Sequence, residues 1–390
     1  MAEKTVCVLG GGIGGVVAAT RLKKRLGAQA RVILIDKSAY HVFQPSFLNV
    51  LAGKREPDQI KKRLDRLQKK GVEFINAEVT EIIPERNLVK VAGREIEYGY
   101  LVVALGTESN MAAVNGLEGA AINLYSLDGI LRAREALAKF AGGEVVILIP
   151  SMPYKCPAAP YETAFLIEAE LRRRKVGNNA NISIYTFEPL PMPTAGPTVG
   201  QAIKELLAKR GINFMPGVTI ESVNPETKEV TWTNGETKKA DLLITIPPHK
   251  APDVVKKAGL TNEAGWIPAD AKTLRTEHEN IFAIGDVAAV KLEGKYKPDK
   301  PLMLPKAGVF AHHEAEVVAA NIAAKITGGA VEKEFDGQGS CFLELGDGTA
   351  GFAAGDFFDL PQPQVQMKNP SRRWHIYKAL LEKYWFWRWF

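Results

Sequence analysis

Short apolar runs rich in β-branched residues recur along the chain, separated by longer mixed segments, which is the pattern of buried parallel strands joined by helices. Thr5-Val6-Cys7-Val8-Leu9 predicts a first strand, Val16 to about Leu26 a helix, and Arg31 to Ile35 a second strand ending in Asp36. Tyr100 to Val103, Glu144 to Ile149, Asp241 to Ile246 and Asn280 to Ile284 repeat the strand pattern, and a further helix opens near Pro160. Gly339 to Leu345 predicts a late strand that enters a Gly346-Asp347-Gly348 turn. At the C-terminus the spacing becomes helical. Trp374, Tyr377, Leu381, Tyr384 and Trp385 share one face, Ile376 and Leu380 extend it, and Lys378, Glu382 and Lys383 fall opposite.

Composition narrows the class without choosing a function. The chain has 390 residues, 46% hydrophobic and 24% charged, which is globular and long enough for about two or three domains. Its net charge of +6 is a mild basic excess, compatible with an anionic membrane surface, a nucleic acid or an acidic substrate. Three cysteines, Cys7, Cys156 and Cys341, do not describe a disulfide-stapled secreted scaffold. The N-terminus shows no signal-peptide pattern, and no apolar run reaches the ~20 residues of a spanning helix, so the chain is expected not to cross a membrane. Lys61-Lys62-Arg63 and Arg172-Arg173-Arg174 are read as solvated helix faces, and no nucleic acid is expected. His312 and His313 are neighbours on a predicted helix and point apart, so no metal site is expected.

Chemistry enters with the glycines. Gly10-Gly11-Gly12-Ile13-Gly14-Gly15 fits G-x-G-x-x-G at Gly10, Gly12 and Gly15, between the first strand and the first helix. Such a loop turns tightly and lets backbone N–H groups approach a pyrophosphate at the helix N-terminus. Asp36, 26 residues after Gly10, can accept the adenosine ribose hydroxyls. Gly10, Gly12, Gly14, Gly15, Asp36 and the adjacent Lys37 are therefore candidate cofactor-binding residues. The strand Glu144–Ile149 is followed by a different loop, Pro150 to Glu162, with four prolines and no glycine. Prolines remove backbone donors and stiffen the chain, so this second loop is not expected to hold NAD(P)H.

Asn280-Ile281-Phe282-Ala283-Ile284-Gly285-Asp286 resembles the second FAD signature of the two-dinucleotide-binding flavoproteins, in which the acid binds the ribityl chain. Tyr100 to Thr107 is similar to that superfamily's strand ending in Ala-Thr-Gly, with Leu105 in place of the threonine before Gly106. The resemblance implies FAD and a fold of two Rossmann-like domains, glutathione-reductase-like.

Cys156 stands in the proline loop just before a predicted helix, where the helix dipole and Lys155 are both expected to favour its thiolate. Cys341 follows 185 residues later, whereas Cys7 reads as a small buried hydrophobe inside a strand. Four segments carry a closer resemblance: Lys155 to Glu162, His41-Val42-Phe43-Gln44-Pro45-Ser46, Leu304 to Ala311, and the Cys341 strand. Through them the chain resembles the sulfide:quinone oxidoreductase family and the flavoprotein subunit of flavocytochrome c sulfide dehydrogenase, over nearly its whole length. The resemblance implies that Cys156 and Cys341 are a redox pair facing the flavin, bridged by a disulfide or a polysulfide. It implies that Pro45 belongs to the FAD site and that Pro305, Lys306 and Gly308 line the pyrimidine edge, Lys306 stabilising the reduced flavin. Phe342 would be a wall of the quinone pocket. Many relatives carry a third cysteine where this chain has Tyr125, which implies a two-cysteine member with non-covalent FAD. Glu162 is the candidate base. The implied reaction oxidises sulfide to polysulfide and passes the electrons to a membrane quinone.

Eight of the last seventeen residues are aromatic, and Arg372, Arg373, Lys378, Lys383 and Arg388 outnumber the single acid Glu382. That combination predicts a helix lying in a membrane interface. The expected organisation is an α/β chain with a first FAD-domain part over 1–112 and a second Rossmann-like domain over 113–250. The second FAD-domain part spans 251–330, and a membrane-interface region covers 331–390. The expected location is peripheral and monotopic, on the cytoplasmic face, with residues 371–390 on the bilayer; a homo-oligomer stays open. Because thiol and flavin segments end by about Gly355, the tail is expected to be separable from the redox site. Three alternatives remain: a sulfide dehydrogenase donating to cytochrome c, a type II NADH:quinone oxidoreductase, and a non-catalytic redox sensor.

Overall fold

A computed structural model describes residues 4–296, 301–329 and 333–390. Its first sheet is wholly parallel, in the order Ile281–Ala283, Tyr100–Val103, Thr5–Leu9, Arg31–Asp36 and Glu73–Asn76. Thr5–Leu9 is buried along its entire length, which is why it carries no polar alternation. The helices Ile13–Leu26 and Gly308–Thr327 pack on this sheet and on each other. Close packing explains two glycines. Gly10 has a φ of +102°, and a Cβ on Gly15 would lie 1.7 Å from the Gly10 carbonyl oxygen.

The second sheet is also parallel, in the order Ile122–Asn123, Leu242–Thr245, Gly143–Ile149, Ala180–Thr186 and Ile212–Met215. Ala159–Arg173 is the crossover helix after Gly143–Ile149. A three-stranded antiparallel sheet, Gln338–Glu344, Ala350–Asp356 and Gln364–Ser371, leads into the C-terminal helix Arg372–Trp389. Among the described residues no helix is long and apolar enough to cross a membrane.

Two sequence-based expectations change here. Lys61–Arg63 is a strand paired antiparallel with Tyr40–Val42, not a helix face. A run of cations fixes solvation and not backbone geometry, and an edge strand solvates them equally well. In the C-terminal helix most of the expected apolar face is exposed, but Trp385 and the polar residues Lys378 and Glu382 are turned towards the body instead of towards solvent. Lys378, Glu382, Trp385 and Trp389 point inward, and Glu382, Trp385 and Trp389 are buried. Ile376, Tyr377, Leu380, Leu381, Tyr384 and Trp387 are exposed. Polar residues normally mark the wet side of a helix, but here each inward one meets a specific partner, which cancels its desolvation cost.

Candidate functional site

A cavity of about 290 Å³ runs between the glycine loop, the 42–48 segment, the Cys156 loop and the start of the Gly308 helix. Its lining includes Gly10, Gly12, Gly14, Asp36, Pro45 and Gly106. Asp286, Lys306, Gly308, Cys156, Tyr125 and Glu162 complete the walls that matter chemically. Gly15 lies beneath it as a packing residue. Lys37 is not part of the lining; its ammonium stands 3.9 Å from Glu78 and 3.8 Å from Glu108 at the surface. Cys341 and Phe342 are also outside the lining. The ring of Phe342 packs 5.1 Å from Phe352, which stacks at 4.5 Å on Trp374 of the C-terminal helix.

The cavity walls fit FAD. A Cβ on Gly12 would meet no described atom within 4 Å, so that peptide can be approached closely by a phosphate. Asp286 Oδ1 and Thr107 Oγ1 are buried without a hydrogen-bond partner among the described residues, and both residues line the cavity. Buried polar atoms of this kind call for a ligand rich in hydroxyls and amides. Burial raises the Asp286 carboxyl above the usual range, while Lys155 and Lys306 oppose the shift. Asp36 accepts the Gly11 and Ser38 N–H groups, which orients its carboxylate along the cavity wall. Burial raises its pKa too, against those two hydrogen bonds.

Lys306 donates to the carbonyls of Asp286 at 2.6 Å and Ala288 at 3.1 Å, and stands 3.6 Å from the centre of the Trp266 ring. Burial pushes its pKa down to about 8. Its neighbour Glu314 accepts the Gly285 N–H at 2.6 Å, and burial pushes that carboxyl up to about 7. Neither Glu314 nor its contact had a signal in the sequence beyond its place on a mostly apolar helix.

The thiols occupy the other chemistry of the site. Cys156 has a φ of +50°, in the left-handed region, and donates its N–H to the Lys306 carbonyl at 2.7 Å. Tyr125 donates its hydroxyl to the carbonyls of Lys155 and Cys156 and so holds the loop. Cys156 and Cys341 are both free thiols, and the Cys341 Sγ sits 3.4 Å from the Phe342 carbonyl oxygen. Glu162 stands between the two segments. Its Oε1 accepts the Glu344 N–H at 2.9 Å in buried surroundings and Lys378 Nζ at 2.6 Å in partly buried ones.

This arrangement corrects the expected thiolate. Burial pushes the Cys156 thiol up to about 12, Glu162 adding to the rise and Lys378 opposing it. Cys341 is driven well above its ordinary value by burial, then by Cys156 and Glu162, again against Lys378. Lys155 instead holds its ammonium over the Tyr125 ring, 5.6 Å from the centroid. Desolvation outweighs the helix terminus. Cys7 is buried in its strand and pushed up to about 12 by the same cause. Among the described residues no His, Cys, Asp and Glu cluster could hold a metal.

The tail is therefore not structurally separate from the surroundings of the two thiols. Lys378 belongs to the thiol environment, Glu382 accepts the Ser46 hydroxyl and Arg55 Nε, and Trp385 contacts His41.

Comparison with known proteins places these features. The model of the family "Pyridine nucleotide-disulphide oxidoreductase" matches residues 4–148 and 162–315. The chain is 32% identical to the mitochondrial sulfide:quinone oxidoreductase of Mus musculus, over 72% of this chain and 65% of that protein. It is 28% identical to the sulfide-quinone reductase of Aquifex aeolicus, covering 99% of this chain and 91% of the other. The crystal structure of the Aquifex aeolicus sulfide:quinone oxidoreductase superposes with a TM-score of 0.89 at 27% identity, over 99% and 91% of the two chains. A type II NADH:quinone oxidoreductase of Staphylococcus haemolyticus is 27% identical over 89% of each chain. The chain belongs to the pyridine nucleotide-disulphide oxidoreductase family, and its likeness to sulfide:quinone oxidoreductases extends over nearly its whole length.

Proposed function

We propose that this chain is an FAD-dependent sulfide:quinone oxidoreductase working through Cys156 and Cys341. The supporting observation is that two cysteines far apart in sequence surround one buried Glu162–Lys378 ion pair at the wall of the FAD cavity. In the oxidised pair a disulfide joins the two sulfurs. Hydrosulfide attacks one of them, the S–S bond breaks, and the products are a persulfide on one cysteine and a thiolate on the other. Both protein donors to Glu162 use Oε1, which leaves Oε2 to take a proton from the incoming sulfide or thiol. Lys378 is the cation that offsets the charge on the released thiolate. Bound FAD supplies the two-electron acceptor that returns electrons to a quinone. Repeated turnover lengthens the sulfur chain, which leaves as polysulfide.

NADH is disfavoured as a donor. Glu188 follows the strand Ala180–Thr186, the place where a Rossmann unit positions the acid that binds a nucleotide ribose. It is fully buried and accepts the hydroxyls of Tyr154, at 2.7 Å, and Tyr161, which flank the Cys156 loop. The proline loop and these tyrosines fill that place with the protein's own groups. The exposed apolar face of the C-terminal helix, with Arg372, Arg373 and Arg388 nearby, fits peripheral attachment to a bilayer where quinone is dissolved. Phe342, packed through Phe352 to Trp374, is the proposed link between that face and the quinone pocket. Purified protein should reduce a short-chain quinone with sulfide and fail with NADH. Reduction by NADH at a comparable rate would favour the type II NADH:quinone reading.

A further inference from the structure

The C-terminal helix packs behind the wall of the FAD cavity, against His41, Phe43 and Ser46, through contacts that neither bilayer attachment nor thiol chemistry requires. His41 is buried between the two. Its Nδ1 lies 2.9 Å from the Gly11 carbonyl oxygen, and its Nε2 lies 3.2 Å from Trp385 Nε1. An indole N–H can only donate, so Nε2 accepts, and the ring proton sits on Nδ1, donated to Gly11. The ring stays neutral because burial pushes its pKa down to about 4. Gly11 is the middle residue of the dinucleotide loop, and its own N–H is held by Asp36.

The same helix supports the neighbouring wall. Phe43 stacks on Trp385 at 5.5 Å, and Glu382 accepts from Ser46 and from Arg55 Nε. The residues that face the cavity from this stretch, Val42, Gln44, Pro45, Phe47 and Leu48, are interleaved with His41, Phe43 and Ser46, which face the helix. One stretch therefore presents one set of side chains to the cofactor space and the other to the helix.

We propose that the C-terminal helix is a positioning element of the FAD site, acting through the Trp385–His41–Gly11 hydrogen-bond chain and the 41–48 wall. FAD affinity then depends on a helix whose opposite face is apolar and exposed. The coupling is reciprocal: bound FAD tightens the docking of the helix as much as docking tightens FAD. The proposal rests on FAD as the cofactor and is independent of the sulfide reading.

The test measures FAD affinity and not turnover. Apoprotein of the full chain is titrated with FAD, following quenching of flavin fluorescence, for wild type, Trp385→Phe and Trp387→Ala. Trp385→Phe keeps an aromatic ring but leaves His41 Nε2 unpaired in a buried place, so FAD binding should weaken about tenfold. Trp387→Ala, on the exposed face, should bind FAD like wild type. Hydrogen exchange of wild-type amides in residues 382–389 supplies a second readout that needs no variant to fold. FAD should slow that exchange, while the strand Ala180–Thr186 should be unaffected. Unchanged FAD affinity in Trp385→Phe, or helix exchange indifferent to FAD, would overturn the proposal.

Discussion

Replacing Lys378 with methionine keeps the length of the side chain and removes its charge from the centre of the thiol site. Lys378 and Glu162 are 12% and 4% exposed, with Nζ 2.6 Å from Oε1. At the effective dielectric that suits partly buried pairs, Coulomb attraction at that distance is about 6 kcal/mol before desolvation is subtracted. Removing one partner of a buried pair and stranding the other costs about 3–5 kcal/mol. Lys378→Met should therefore lose stability of that order, and Lys378→Met with Glu162→Gln should recover most of it. The same change removes the cation that lowers the pKa of both thiols, so they rise further. Urea unfolding of the four proteins of this cycle, kept reduced, gives the coupling energy. Iodoacetamide labelling of Cys156 against pH gives the thiol effect: slower in Lys378→Met, faster in Glu162→Gln. A double variant no more stable than Lys378→Met, with labelling unchanged, would refute the ion-pair reasoning. Deleting residues 371–390 should likewise damage the thiol site as well as any membrane attachment.

Three further outcomes follow from the same geometry. Asp286→Asn removes a buried carboxylate aimed at the cofactor space and should weaken FAD retention by about 1.5–3 kcal/mol, read as FAD lost on dialysis. Burial lowers the pKa of His41 in the folded chain from the ordinary 6.5 to about 4, so the unfolded chain takes the proton first on acidification. Its contribution is present above pH 6.5 and is lost as pH falls to about 4, amounting to about 3 kcal/mol; a flat denaturation midpoint over that window contradicts it. Leu380→Ser with Trp387→Ser alters only the exposed face, and should reduce co-sedimentation with anionic liposomes at ~1.5–3 kcal/mol per side chain while FAD absorbance persists.

The first Rossmann unit was legible because its signals are local. A buried strand, a glycine loop and an acid after the next strand lie within one short stretch, and each is set by backbone geometry. The proline-rich character of the loop after Gly143–Ile149 was legible for the same reason, since proline removes backbone donors wherever it stands. The site's electrostatics were not legible. Whether Cys156 is a thiolate depends on how deeply the thiol is buried, and a neighbouring Lys155 in sequence turned its charge elsewhere. The spacing shows the C-terminal helix but not which side turns inward, because Lys378 and Glu382 look solvated until Glu162, Ser46 and Arg55 are brought to them. His41 carried no hint that it would join Gly11 to Trp385, since that role exists only across three distant segments.

The central claim is that sulfide reduces the flavin through Cys156 and Cys341. The direct measurement is anaerobic addition of sulfide to the FAD-loaded protein while the visible flavin absorbance is followed, in wild type, Cys156→Ala and Cys341→Ala. NADH is added to a separate sample. Sulfide should bleach the wild-type flavin rapidly, both variants should stay yellow, and NADH should leave the absorbance unchanged. Rapid bleaching by sulfide in either cysteine variant would contradict the account.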